Sequence, residues 1–168
     1  MKKDELSGFI SGIYDGLDDI INAVARRVGV DPKYLKAVAA TESNLGRDLR
    51  LEPIGDTKGI THVTYGVAKY YSPNLKQGDQ KNLSTEADLE IGAKFLKDLM
   101  KKYGSIELAA KAYNGGEPRL NQIIKYNKSL VFSPITKTDT LAAMKSAESN
   151  MNIHWTKFKK NLDKIGVA

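Results

Sequence analysis

Apolar residues recur at helical spacing through most of this chain, and glycine, proline and asparagine cut the pattern into short pieces. Phe9, Ile10, Ile13, Leu17, Ile20, Ile21 and Val24 return every three or four residues, with Asp15, Asp18 and Asp19 between them. That is the stripe of an amphipathic helix, predicted over 8–27. Gly29 ends it, and Asp31-Pro32 starts a second, with a capping side chain followed by a first-turn proline. The second helix runs to about Ser43, with Gly46 as its stop signal.

Residues 47–84 read differently. They hold glycines at 55, 59, 66 and 78 and prolines at 53 and 73. Ile60 to Tyr65 is rich in Thr, Val and Ile, which predicts a short strand or hairpin arm, and Gly66 to Tyr71 a short helix. A connection of this length is seldom passive in a compact domain. Helices resume at Thr85, where Thr85 and Asp88 have capping-box spacing. Leu89, Gly92, Leu96, Leu99 and Tyr103 mark the buried stripe, and Gly104 ends it. Ser105 caps the next helix, with Ile106, Ala109, Ala110 and Tyr113 on its stripe. Asn114-Gly115-Gly116 breaks the chain, and Pro118 opens a short helix to Tyr126. A polar loop with Pro134 leads to a last helix over 139–165, whose apolar residues approach a heptad rhythm. That helix packs either on its own domain or on another protein. The fold class expected is mainly α, with a short β-hairpin segment around residues 55–70.

With 168 residues and 41% hydrophobic side chains, the chain is expected to form one domain over 1–168. It has no cysteine, so disulfides and thiolate chemistry are excluded. Its two histidines, His62 and His154, are far apart in sequence, and no metal or other cofactor is expected. The net charge of +6 suits a polyanionic partner. Residues 1–100 carry 14 basic and 15 acidic side chains and residues 101–168 carry 12 and 5, so the excess lies wholly in the second part. Charge alone points equally to a solvated helix face. No recognition-helix signature or aromatic-basic sheet motif supports nucleic-acid binding. Met1-Lys2-Lys3 looks like the start of a signal peptide, but Asp4 and Glu5 follow at once and the apolar residues are spaced. Neither a secretory signal nor membrane insertion is expected.

One residue departs from the pattern. Leu35, Val38, Ala39 and Glu42 lie at i, i+3, i+4 and i+7 and share one helix face. A carboxyl group there loses water, which favours its protonated form, and the helix C-terminus acts in the same direction. A carboxyl protonated near neutral pH can serve as a general acid. The plain alternative is that Glu42 reaches Arg47, Arg50 or water. Tyr113 likewise ends an apolar stripe, either as core packing or as part of a site.

Taken together, these features resemble the soluble lytic transglycosylase (SLT) family, whose fold is α+β and lysozyme-like. The resemblance covers about residues 20–127. The family's Glu-Ser helix end is matched by Ala39-Ala40-Thr41-Glu42-Ser43, followed by Asn44-Leu45-Gly46. Its Gly-Leu-Met-Gln-like segment finds its nearest match in Tyr65-Gly66-Val67-Ala68-Lys69, where Lys69 stands in the place of Gln. Its long helix is matched by Asp88 to Met100, and its Ala-Tyr-Asn-Gly-Gly motif by Ala112-Tyr113-Asn114-Gly115-Gly116. The helices at 8–27 and 139–165 stand largely outside the match.

The resemblance implies cleavage of peptidoglycan between N-acetylmuramic acid and N-acetylglucosamine, with Glu42 as the single acid and base. It implies that Tyr113 hydrogen-bonds Glu42, that Asn114 contacts substrate or holds the backbone, and that Ser43 supports the site. It also implies that the segment containing Tyr65, Gly66 and Lys69 lines the sugar cleft. The Lys69 departure implies altered subsite preference. A hydrolytic lysozyme is the alternative within the same class and requires a second carboxylate, for which Asp48, Asp56 and Glu117 are the candidates. A non-catalytic virion or secretion-machine component is the alternative of another class. With no signal peptide, the expected setting is a phage virion or a host cytoplasm, with delivery to the periplasm and wall. Virion or secretion-apparatus proteins are then possible partners.

Overall fold

A computed structural model describes residues 16–46 and 59–167, with side chains left undescribed at 80, 81 and 167. Among the described residues it is mainly α, with seven α-helices and no strand. They are α1 (Leu17–Val28), α2 (Pro32–Ser43), α3 (Tyr65–Tyr71), α4 (Thr85–Tyr103), α5 (Ile106–Gly115), α6 (Glu117–Ser129) and α7 (Leu141–Val167). A 3-10 turn spans Asp79–Asn82. The chain divides into two compact units, one of Met1–Lys97 with Phe158–Ala168, the other of Asp98–Lys157.

In the first unit, α1 and α2 pack against one another. Gly29 takes a left-handed conformation (φ +84°) and closes α1, and the Asp31 carboxylate accepts from Lys33 N to open α2. Both boundaries were legible as local chemistry. Leu17, Ile21, Val24 and Ala25 from α1 join Leu35, Ala39 and Ala40 from α2 in one core. Leu45, Ile60, Leu89 and Ala93 complete it. The predicted start of the first helix, 8–15, lies outside the described residues.

The strand predicted from Ile60 to Tyr65 is not there. Residues 59–61 bend, 62–64 have no regular structure, and α3 begins at Tyr65. The rest of the predicted hairpin, 55–58, lies outside the described residues. The reason is where the polar groups go. Thr61 N donates to Asp88 Oδ2 at 2.9 Å, and Thr61 Oγ1 lies 3.0 Å from the same oxygen. A helix carboxylate has taken the place of a neighbouring strand. Thr64 then caps α3 through Val67 N, at 3.4 Å.

The same contact corrects the capping box read at Thr85 and Asp88. Ser84 is the capping residue, accepting from Ala87 N at 3.1 Å, while Asp88 turns inward and is 2% exposed. Two glycines let the 59–61 segment approach α4. A Cβ at Gly59 would sit 2.4 Å from Asp88 Oδ1, and one at Gly92 would sit 2.7 Å from the Thr61 side chain. Neither position has room for alanine without movement of the clamp.

In the second unit, α5 and α6 pack against one another. Ser105 caps α5 through Leu108 N, as expected. The Asn-Gly-Gly break has two distinct causes. A Cβ at Gly115 would run into the Met151 side chain of α7, so any larger residue there needs Met151 to move. Gly116 (φ +83°) is the actual helix stop, returning its N–H to Ala112 O. The helix after it is longer than expected, reaching Ser129. Asp139 anchors the loop before α7, and its side chain is 1% exposed. It accepts from Ile135 N at 3.0 Å, Arg119 Nη1 at 2.8 Å and Gln122 Nε2 at 2.6 Å. These donors, the Ile135 amide foremost, hold its carboxyl down at about 2.

Asp88 is shifted the other way. Burial pushes its carboxyl up to about 6, against the opposing pull of the Thr61 hydrogen bonds. The folded state therefore holds a proton that the unfolded chain releases between pH 3.8 and about 6. Stability falls as pH rises through that window, by up to about 3 kcal/mol. We expect urea melts of the wild type and Asp88→Asn to diverge with pH. The wild type should gain on the variant as pH falls from 7 to 4. Parallel curves over that range would remove Asp88 as the titrating group.

Candidate functional site

Helix α2 carries the apolar face that the spacing predicted. Leu35, Val38 and Ala39 are buried, and Glu42, one turn on, has a side chain 14% exposed. Its carboxyl group is thus largely removed from water, at the end of a helix whose last turn is pinned on three sides.

The first pin is Thr41, whose Oγ1 accepts from Asn161 Nδ2 of α7 at 3.0 Å, both groups being buried. The second is Ser43, which is fully buried. Its Oγ lies 2.8 Å from Ile60 O and 3.1 Å from Ala39 O, one proton serving the two carbonyls, and it accepts from Gly46 N at 3.0 Å. The third is the turn after the helix. Asn44, Leu45 and Gly46 have φ of +50°, +57° and +80°, three successive left-handed residues. Asn44 N returns to Ala40 O and Leu45 N to Ala39 O. Left-handed Asn and Gly are common helix stops, whereas left-handed Leu is strained and needs surrounding contacts to hold it.

His62 faces Glu42. Its Nδ1 lies 3.7 Å from Glu42 Oε2, and the imidazole is 13% exposed. His62 is itself left-handed, with φ +49°. The segment that carries it is tied to α2 by Ser43 and Ile60 and to α4 by Thr61 and Asp88. A strained backbone held from two sides, with its side chain against a desolvated carboxyl group, is the pattern of a site rather than of a loop.

Sequence reasoning missed His62. It sought the Gly-x-x-Gln segment at Gly66–Lys69, but those residues form the short helix α3. There Lys69 Nζ donates to Leu75 O at 2.9 Å and the Tyr65 hydroxyl donates to the same carbonyl at 3.4 Å. Gly66 stands exposed in the first turn of α3. The same spacing occurs seven residues earlier, as Gly59-Ile60-Thr61-His62, and that copy is the one brought to Glu42. No local signal separates the two copies, since Gly66 is followed by aliphatic Val67 just as Gly59 is by Ile60. Asp88, Thr61 and Asn161 were also not picked out as supports, since their partners are distant in sequence.

The other expected residues belong to the second unit. Tyr113 and Asn114 occupy the last turn of α5, Tyr113 half-buried and Asn114 exposed. Of the candidate second carboxylates, Glu117 opens α6 and is ion-paired with Lys102. Asp48 and Asp56 lie outside the described residues. Among the described residues, no group of three His, Asp or Glu side chains is placed to hold a metal ion. Within the same limits, no helix is long and apolar enough to cross a membrane.

The family described as Transglycosylase SLT domain matches residues 19–135, which include Glu42, His62 and the Tyr113-Asn114 turn. No curated protein matches the chain. The match covers more than half of the residues and includes α2 and the 59–62 segment that faces Glu42, while Asn161 of α7 lies beyond it. The chain belongs to the transglycosylase SLT-domain family, a membership that implies lytic transglycosylase action on peptidoglycan.

Proposed function

We propose that the protein cleaves the β-1,4 bond between N-acetylmuramic acid and N-acetylglucosamine, leaving a 1,6-anhydro-muramyl end, with Glu42 as the only acid and base. The observation that carries this reading is Glu42 itself, a carboxyl group 14% exposed at the end of an apolar helix face within the family match.

Glycosidases that hydrolyse their substrate use two carboxyl groups. One group suffices when the substrate supplies the nucleophile. Protonated Glu42 gives its proton to the glycosidic oxygen as the bond breaks. The substrate's N-acetyl oxygen stabilises the cationic sugar carbon. Glu42, now a carboxylate, takes the proton of the muramyl C6 hydroxyl, whose oxygen closes on the anomeric carbon. The proton count of Glu42 is restored and no water is consumed.

In this reading the Tyr113 hydroxyl orients Glu42, and Asn114 contacts substrate or holds the turn. Ser43 supports the helix end from its buried position. Tyr65, Gly66 and Lys69 contribute to the glycan-binding surface. The basic excess of residues 101–168 attracts the muramyl-peptide carboxylates of the wall, an attraction that weakens with salt. The reading places the activity at the cell wall. The family match lends no support to a phage origin.

Digestion of purified peptidoglycan, followed by mass spectrometry, tests the reaction directly. Anhydro-muramyl ends are expected. Reducing ends would mean a hydrolase, and no release by folded protein would mean a non-catalytic role. Glu42→Gln keeps the size of the side chain and loses the transferable proton, so turnover should fall about 10²–10⁴-fold. Tyr113→Phe removes one hydrogen bond to a charged group and should cost about tenfold in kcat; unchanged kinetics would take Tyr113 out of the site. Asp56→Asn should change turnover little under a one-carboxyl mechanism, and a collapse of activity would favour hydrolysis.

A further inference from the structure

We propose that His62 is a positioning residue for Glu42, serving the carboxyl group in both of its protonation states. The proposal rests on the reading of Glu42 as the acid and base, and extends it to a second residue.

The Nδ1–Oε2 separation is 3.7 Å, just beyond hydrogen-bond distance, and both side chains are largely withdrawn from solvent. Hydrogen bonds of catalytic groups are often this long before substrate binds and tighten when it does. A carboxyl group so placed needs a polar neighbour, because water is not free to replace one. The backbone holds that neighbour deliberately. His62 lies in the left-handed region, which few non-glycine residues adopt, though histidine does so more often than most. The residues before it are locked by the Ser43–Ile60 and Thr61–Asp88 contacts. These are the contacts that overdetermine a strained residue and keep its side chain in one place.

The chemistry explains why an imidazole fits. Glu42 begins the reaction as a hydrogen-bond donor, with its proton on oxygen, and passes through a state in which it only accepts. Its neighbour must match both. A neutral imidazole carries one N–H and one bare nitrogen, and which of them faces Glu42 depends on the tautomer. Exchange of tautomer releases the proton of one ring nitrogen to solvent water and takes one up from water at the other, so the proton count of the ring is unchanged and the 13% exposed imidazole keeps access to that water. The proton delivered to the glycosidic oxygen comes from Glu42, and the one returned comes from the C6 hydroxyl. His62 is neither acid nor nucleophile in the sequence. An amide serves in the same way by turning its oxygen or its NH2 toward the carboxyl group. An alkyl side chain serves neither state, and a lysine only donates.

Four variants of the full chain, assayed on soluble glycan strands, decide the question. His62→Leu should lower kcat about 10- to 100-fold, with KM changed less than about threefold. His62→Gln should recover most of that loss, and His62→Lys should not. A purely structural role would not separate Gln from Lys when both variants melt within a few degrees of each other. Wild-type kcat in His62→Leu, or equal losses in His62→Gln and His62→Leu, would overturn the proposal. If His62→Leu does not fold, His62→Gly removes the same polar group while accepting the left-handed backbone, and it must show the same loss of kcat. Glu42→Gln is the control. A loss of less than about tenfold in Glu42→Gln would dismiss the reading of Glu42, whereas the full expected loss in Glu42→Gln beside a fully active His62→Leu would dismiss only the role of His62.

Discussion

The contact between Asp88 and Thr61 is the joint on which the Glu42 site depends. Asp88 is buried on α4, where an uncompensated carboxylate is costly, and the amide and hydroxyl of Thr61 answer it at 2.9 and 3.0 Å, with a further backbone contact from Ile60. In return Thr61 is fastened to a helix, with Gly59 and Gly92 allowing the approach. Ile60, just before it, is bonded to Ser43 at the end of α2. His62, just after it, faces Glu42. Three consecutive residues thus connect a core helix, the end of the Glu42 helix and the carboxyl group itself. Loss of the Asp88 contact would release the segment that presents His62.

Asp139 does comparable work in the second unit, under opposite electrostatics. Both aspartates pin a loop at a helix start, and both are almost fully buried. Asp139 is met by Arg119, Gln122 and a backbone amide, and its carboxyl lies well below the usual range. Asp88 is met by neutral donors alone, and burial prevails. The two groups therefore respond in different ranges. The Asp139 anchor loses its contribution as pH falls from about 4 toward 2, whereas the Asp88 contact is favoured by falling pH between about 6 and 4. An ion pair gives a latch that is secure at neutral pH, and a buried lone acid gives one that is strongest in mild acid.

The helices were legible because their signals are local. A 3.6-residue period, Gly29 as a left-handed stop and the caps at Asp31 and Ser105 each involve residues a few positions apart. The place of Glu42 on the face of Leu35, Val38 and Ala39 followed from the same period, and its partial burial agrees with it. The segment from Ile60 to Tyr65 was misread because β-propensity reports side-chain type and not the destination of the backbone hydrogen bonds. Those bonds go to a side chain 27 residues away. The missed histidine has the same cause, since the Gly-x-x spacing occurs twice in a few residues and local pattern does not choose between the copies.

A helical chain, the places where most of its helices stop and one acid on an apolar face can all be read from the order of residues. Those features rest on backbone periodicity and on caps within one turn. Packing alone reveals that Asp88 faces inward rather than capping its helix, that Asn161 reaches Thr41 from 120 residues away, and that His62 stands beside Glu42. Each of those is a choice of partner for a buried polar group. Such a choice is made by whichever groups the packed helices bring within about 3–4 Å, long after the local pattern has finished speaking.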